Sequence, residues 1–263
     1  KDIKNLKQNP DILLMQTWGF RIDVNVIRRI KKDFGCKVIN IGMDEKHTYW
    51  VNGVPEDGTY GLKDVIDIML TSIPVAIDWF RKENVPCFFF PEASDSNFFF
   101  PIDTDKKYDI GLVGENYGIR TEIVEILQKQ GFNIKVYGDG WPSGRISPNL
   151  INEFYNQCKI VLGVGTIGYC NNLFSLKLRD FDVPMSGAFY LTTFCEELSM
   201  LYEEDSEIVM YSDIDEIVSK CAYYLDHDEQ RVAIARNGHL RALKDHRYDK
   251  RFSELIDAIK CID

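Results

Sequence analysis

The chain has 263 residues, 45% hydrophobic and 27% charged, with a formal net charge of -10. That composition belongs to a globular protein with enough apolar material for one large or two ordinary cores, and it excludes a disordered or fibrous chain. The acidic balance speaks against a nucleic acid or an anionic lipid surface as the main partner.

Short apolar runs alternate with stretches of helical period, the pattern of a parallel-sheet α/β protein. In the first part the strands are read at Ile12–Gln16, Val38–Ile41, Ile66–Thr71 and Cys87–Phe90. Helices are read at Val24–Phe34 and at Pro74–Glu83, with Pro74 in the first turn, where its missing N–H costs nothing. Residues 47–61 read as a loop. The Pro- and Asp-rich stretch 91–107 reads as a linker, with a boundary near residue 103.

Beyond it the rhythm restarts. Strands are expected at Tyr108–Val113, Ile134–Tyr137, Ile160–Leu162, Ala188–Leu191 and Ile208–Tyr211. Helices are expected at Arg120–Gln130, Pro148–Gln157, Leu176–Val183, Glu196–Tyr202 and Ile214–Leu225, and residues 229–262 read as helical with a break near His246–Tyr248. Seven scattered cysteines fit neither a disulfide framework nor a zinc site, and most are expected as buried apolar residues. No apolar run is long enough to span a membrane and no signal peptide is read, so the expected location is the cytoplasm.

Three constellations could carry chemistry. In the first, a strand runs through Gly114, Asn116 and Tyr117 to Arg120 at a helix start, where N–H groups and a cation can meet a phosphate. The glycine spacing is not a dinucleotide fingerprint, and a plain strand-to-helix turn reads equally well. In the second, Gly138, Gly140 and Trp141 could lay a flat base against backbone and indole, or form a turn with an apolar anchor. In the third, Ser175, Lys177, Arg179 and Asp182 combine cations with a carboxylate about one turn later, before Pro184 and Gly187. They could hold a diphosphate and a ribose diol, or make an intrahelical ion pair.

Together these pieces resemble a known family. The segments YGDGW (137–141), SLKLRDFDVPMSGAFYLT (175–192), YEEDSEIVMYSDIDEIVSKCAYYL (202–225) and RVAIARNGHLRALKDHRYDKR (231–251) look like the CgeB-like (spore maturation protein) glycosyltransferases, among the group 1 glycosyltransferases of GT-B fold. The likeness covers most of residues 108–251 and is most distinctive at 178–189. PDILLMQTWG (10–19) and VINIGMDEKH (38–47) resemble the family as well.

The resemblance implies two Rossmann-like domains with parallel sheets facing across a cleft, the first small or truncated. They are expected at 1–103 on the acceptor side and 104–245 for the nucleotide sugar, with 246–263 as a helix crossing back to the first. It implies a hexosyltransferase-type enzyme that moves a sugar from a nucleoside diphosphate, uridine by family habit, to a hydroxyl of a glycan, protein or small molecule. No metal or other cofactor is expected. Asp182, five residues ahead of Gly187, falls where the family grips the ribose, though relatives carry a longer Glu, and Phe174 stands where many have a further Glu. Arg179, Lys177, Arg120 and N–H groups near Gly114 would stabilise the departing diphosphate. Asp44, Glu45 and His47, after the second strand, are the cluster from which an acceptor base would come, Asp44 and His47 foremost, or the loop contacts the acceptor instead. The competing reading is an inactive nucleotide-binding or regulatory module of the same fold.

Overall fold

The computed structural model describes residues 9–260. The chain divides into two compact units, residues 1–91 and 92–263. The division falls ahead of the Pro- and Asp-rich stretch, which joins the second unit.

The first unit is a four-stranded parallel sheet in the order β1 (Ile12–Met15), β2 (Lys37–Gly42), β3 (Ile68–Thr71), β4 (Cys87–Phe89). Helix α1 (Val24–Phe34) joins β1 to β2 and has legible ends: the Asp23 carboxylate accepts from the Asn25 N–H, and Gly35 leaves the helix at φ +67°. After β2 comes one turn, α2 (Glu45–Thr48), and then two 3-10 turns, Pro55–Asp57 and Thr59–Leu62. The expected plain loop is therefore an ordered wrap. Tyr49 anchors it, packing edge-on to Phe80 at 5.3 Å and tilted on Trp79 at 5.0 Å. Helix α3 (Pro74–Lys82) leads from β3 to β4. Ile27, Val38, Leu62, Met69 and Phe80 form the core of this unit.

The second unit contains β5 (Tyr108–Val113), α4 (Arg120–Lys129), β6 (Ile134–Tyr137), α5 (Pro148–Gln157) and β7 (Cys158–Leu162). A small antiparallel hairpin follows, β8 (Thr166–Ile167) with β9 (Cys170–Phe174), and then α6 (Arg179–Met185), β10 (Tyr190–Thr193), α7 (Glu196–Ser199) and β11 (Val209–Tyr211). The unit closes with α8 (Ile214–Asp226), α9 (Asp228–Asp245) and α10 (Tyr248–Lys260). Helix α10 groups with this unit, and Ile262 lies outside the described residues.

Its sheet is all parallel in the order β6-β5-β7-β10-β11. The chain steps outward from β5 to β6 and then returns to the other side of β5 to lay down β7. That reversal opens a crevice beyond the carboxyl ends of β5 and β7, where sheets of this order bind ligands. Ile110, Leu112, Leu127, Ile160, Leu162 and Leu191 fill the core beneath it.

Two expectations need correcting here. The helix read from Leu176 starts at Arg179, because the Asp180 carboxylate takes the Lys177 N–H at 2.7 Å and holds the preceding residues in a turn. It also runs through Pro184 to Met185, the Ser186 N–H still reaching the Asp182 carbonyl at 2.9 Å. Strand β10 accordingly begins at Tyr190 rather than Ala188. Of the cysteines, Cys36, Cys87, Cys158, Cys195 and Cys221 are buried, Cys170 is exposed, and Cys261 lies outside the described residues.

Candidate functional site

The crevice between β5 and β7 is lined with cations. Arg120 opens α4 and is 3% exposed. Its Nη1 donates to the Glu115 carbonyl at 2.8 Å, and its Nη2 donates to the Tyr117 hydroxyl at 3.1 Å and the Val164 carbonyl at 3.2 Å. Arg179 opens α6, and its Nη2 donates to the same Val164 carbonyl at 2.5 Å. Val164 follows β7, so residues from two distant helix starts meet at the end of the sheet's central strand.

Gly114 provides the room for this meeting. A Cβ there would stand 3.1 Å from Arg120 Nη1 and 3.6 Å from Arg179 Nη1. Burial, and after it the charge of Arg179, pull the Arg120 pKa down to about 10. Arg120 Nε and the hydroxyl of Thr166, two residues past Val164, are buried with no hydrogen-bond partner among the described residues. Two guanidinium groups with a spare donor are suited to receive an anion.

The rest of the first two constellations braces this point. The Gly114 N–H is taken by the Tyr137 carbonyl at 2.8 Å and the Asn116 N–H by the Asp139 carbonyl at 2.7 Å. The N–H groups expected to face a phosphate near Gly114 are thus engaged at these two positions, and the cations remain. Trp141 Nε1 donates to the Gly114 carbonyl at 2.9 Å, and its ring packs on the core. Gly138 sits at φ +146° with the Gly114 oxygen only 2.0 Å from where a Cβ would stand. Gly140, at φ +79°, faces Asn116 in the same way. Gly138, Gly140 and Trp141 lock one loop onto the other, the turn-with-anchor reading. Tyr117 lies under Arg120, with the guanidinium 4.2 Å from its ring centre.

In the third constellation Lys177 Nζ donates to the Ser175 hydroxyl at 2.8 Å, and the Ser175 N–H is held by the Gly165 carbonyl at 3.1 Å. Asp182 is 7% exposed and accepts from the Ser94 hydroxyl at 2.7 Å. Burial pushes its pKa up to about 7 against the Ser94 hydrogen bond, and neighbouring Asp180 adds to the rise. Ser94 thus already holds one of the two carboxylate oxygens that a ribose diol would use. Gly187 stands apart from this crevice. It precedes β10 at the opposite edge of the sheet, and its φ of +76° and the Pro101 ring 2.8 Å from a would-be Cβ explain the glycine.

In the first unit, His47 is exposed and the Asp44 carbonyl receives the His47 and Thr48 N–H groups. The buried carboxyl of that cluster is Glu45. Glu45, 1% exposed, accepts from the Thr71 hydroxyl at 2.7 Å, while its Oε1 has no partner. Burial pushes its pKa to about 7. Its signal was its place, three residues past a buried strand. What the sequence reading missed was the Gly163-Val164-Gly165 turn, two glycines closing an apolar strand. Among the described residues no group of three His, Cys, Asp or Glu is set to hold a metal ion, and no helix is long and apolar enough to cross a membrane.

The profile of the family described as glycosyl transferase-like matches residues 120–257, more than half of the chain, which runs from Arg120 through Arg179 to α10. The chain belongs to that family. A comparison with curated proteins finds no match.

Among solved structures, a sucrose-phosphate synthase from Thermosynechococcus elongatus superposes with a TM-score of 0.70 at 11% identity, over 96% of this chain and 74% of that one. The HepE protein of Anabaena in complex with UDP-glucose gives 0.69 at 8%, over 95% and 79%. A glycosyltransferase from Rickettsia africae gives 0.62 at 8%, over 91% and 80%. At such identities the likeness speaks for the fold, and the fold is that of the GT-B glycosyltransferases.

Proposed function

We propose that the protein transfers a hexosyl group from a nucleoside diphosphate sugar, most simply a UDP-sugar, to an acceptor hydroxyl, without a metal. The observation that carries this is the meeting of Arg120 and Arg179 at Val164, beyond the carboxyl edge of the sheet. When the glycosidic bond to the diphosphate breaks, negative charge grows on the departing oxygen. Fixed guanidinium groups in a water-poor crevice stabilise that charge more in the transition state than in the ground state. Lys177 adds a third cation on the approach to α6. Asp182 would hold the ribose once Ser94 yields, as the resemblance at 178–189 to CgeB-like enzymes suggests. The UDP-glucose bound in the structurally similar Anabaena HepE agrees with a uridine donor. On the acceptor side, Glu45 stands out from its neighbours Asp44 and His47 as a candidate for receiving the hydroxyl proton, its pKa of about 7 being suited to a base at neutral pH.

The test is calorimetric titration with UDP, GDP and ADP, repeated on Arg179→Ala, followed by transfer assays with labelled UDP-sugars. Selective UDP binding lost in the variant, together with turnover, supports the proposal. Binding without transfer to any acceptor moves the inactive module ahead. No binding at millimolar nucleotide removes the donor-site assignment.

A further inference from the structure

The second unit has another cation-lined cleft, at the opposite edge of the sheet. It has a volume of about 270 Å³ and is lined by Lys106, Lys159, Arg231, Arg236 and His239, with no carboxylate among its described lining residues. Lys159 is the second residue of β7 and Val164 follows that strand, so the two cationic sites stand roughly 16 Å apart along it. In a chain of net charge -10, five basic side chains around one small cleft are not a sample of the general surface.

The charges there are only partly answered. Lys159 pairs with Asp109 at 2.9 Å and Arg231 with Asp228 at 2.7 Å. Among the described residues Lys106 Nζ reaches the neutral Asn156 carbonyl, at 2.7 Å, and its pKa is lowered by burial first and by Arg231 as well. Arg236 is exposed and makes no ion pair among the described residues. His239 has Nδ1 on the Met185 carbonyl at 2.9 Å, which makes that nitrogen the donor and leaves Nε2 for a ligand. Phe189 and Val232 add an apolar wall.

From this arrangement we infer that the cleft between the start of β7 and α9 binds a small phosphorylated molecule, the size of a sugar phosphate, as an effector site separate from the donor crevice. The cations take the phosphate and the apolar wall takes the carbon skeleton. This does not rest on the proposed transferase activity, since the cleft belongs to the second unit's fold whatever the crevice does.

The test is calorimetric titration of the full chain with inorganic phosphate, pyrophosphate and glucose 6-phosphate, with and without saturating UDP. It is repeated on Arg236→Ala, at an exposed position, and on Lys106→Ala, each first checked for an unchanged melting temperature. The expected result is binding unchanged by UDP and weakened about tenfold in each variant, glucose 6-phosphate binding more tightly than phosphate alone. Three results would overturn it: no binding at millimolar concentration, equal affinity in the variants, or displacement by UDP. A single-stranded oligonucleotide that binds more tightly than all three, and is weakened by the same variants, would assign the cleft to a polyanionic macromolecule instead.

Discussion

Arg120 Nη2 and Arg179 Nη2 donate to one carbonyl oxygen, that of Val164, at 3.2 and 2.5 Å. A neutral oxygen gives the two cations little countercharge; burial works against the Arg179 cation, and Tyr190 and Asp180 more than offset it. Arg179→Ala is therefore expected to weaken diphosphate binding by about 1.5–3 kcal/mol, the usual worth of a hydrogen bond to a charged group. Arg179→Lys should recover only part, because an ammonium lacks the planar fork that meets two phosphate oxygens. Nucleotide titration of the three proteins decides it, and equal affinity in all would remove Arg179 from the site.

Asp182 makes a prediction in which stability and binding part company. Its folded pKa, about 7, lies above the ordinary 3.8, so the stability tied to its proton is fully present below pH 3.8 and is lost as pH rises through 7. Asp182→Asn keeps an acceptor for Ser94 and carries no charge. It should raise unfolding stability at pH 8 by on the order of a few kcal/mol, change little at pH 3.5, and weaken nucleoside diphosphate binding if the ribose reading holds. Urea unfolding at the two pH values reads the first part and calorimetry the second.

His246 works in the other direction. It lies between α9 and α10 rather than on a helix, 3% exposed, with Nε2 donating to the Leu201 carbonyl at 3.1 Å and Nδ1 accepting from Arg251 Nη2 at 3.2 Å. Burial above all pulls its pKa down from 6.5 to about 4. The folded state holds the neutral ring, so stability is lost as pH falls from 6.5 toward 4, by on the order of 3 kcal/mol. His246→Gln should flatten that limb of the stability profile. A limb of undiminished steepness in the variant would assign the loss to other groups.

Glycine substitutions distinguish close approach from mere turn geometry. Gly131 has φ +87° with nothing within 4 Å of a Cβ, so Gly131→Ala is expected to cost about 1–2 kcal/mol of left-handed strain. Gly138→Ala adds a collision with the Gly114 oxygen, 2.0 Å from the new atom, and should cost a further 1–3 kcal/mol or so. It should also loosen the Arg120 anchorage and so weaken nucleotide binding, which Gly131→Ala leaves intact. Paired unfolding and binding measurements on the two variants test the distinction.

Much of the fold could be read directly from residue order. Helix α1 was bounded correctly because Asp23 and Gly35 mark its ends by local chemistry, and β5 and β6 because their apolar runs stop at glycine turns. The β8–β9 hairpin escaped notice since Cys170, Asn171 and Asn172 are exposed and show no alternation. At the crevice, Arg120 and Arg179 were identifiable as cations at helix starts. Their meeting point was not, because it is a backbone oxygen 44 and 15 residues away, placed there only when β7 pairs beside β5. Trp141 and Gly138 could be seen as a turn, but what the turn clasps depends on that same pairing.

The paired guanidinium groups also make the protein a gauge of its donor. Arg120 has its pKa pulled to about 10 by burial first and by the charge of Arg179 after it. A diphosphate bound between the two would favour the charged, folded form. Heat resistance should therefore climb with nucleotide concentration. A melting curve taken across a panel of nucleotide sugars would rank the donors before any acceptor is known.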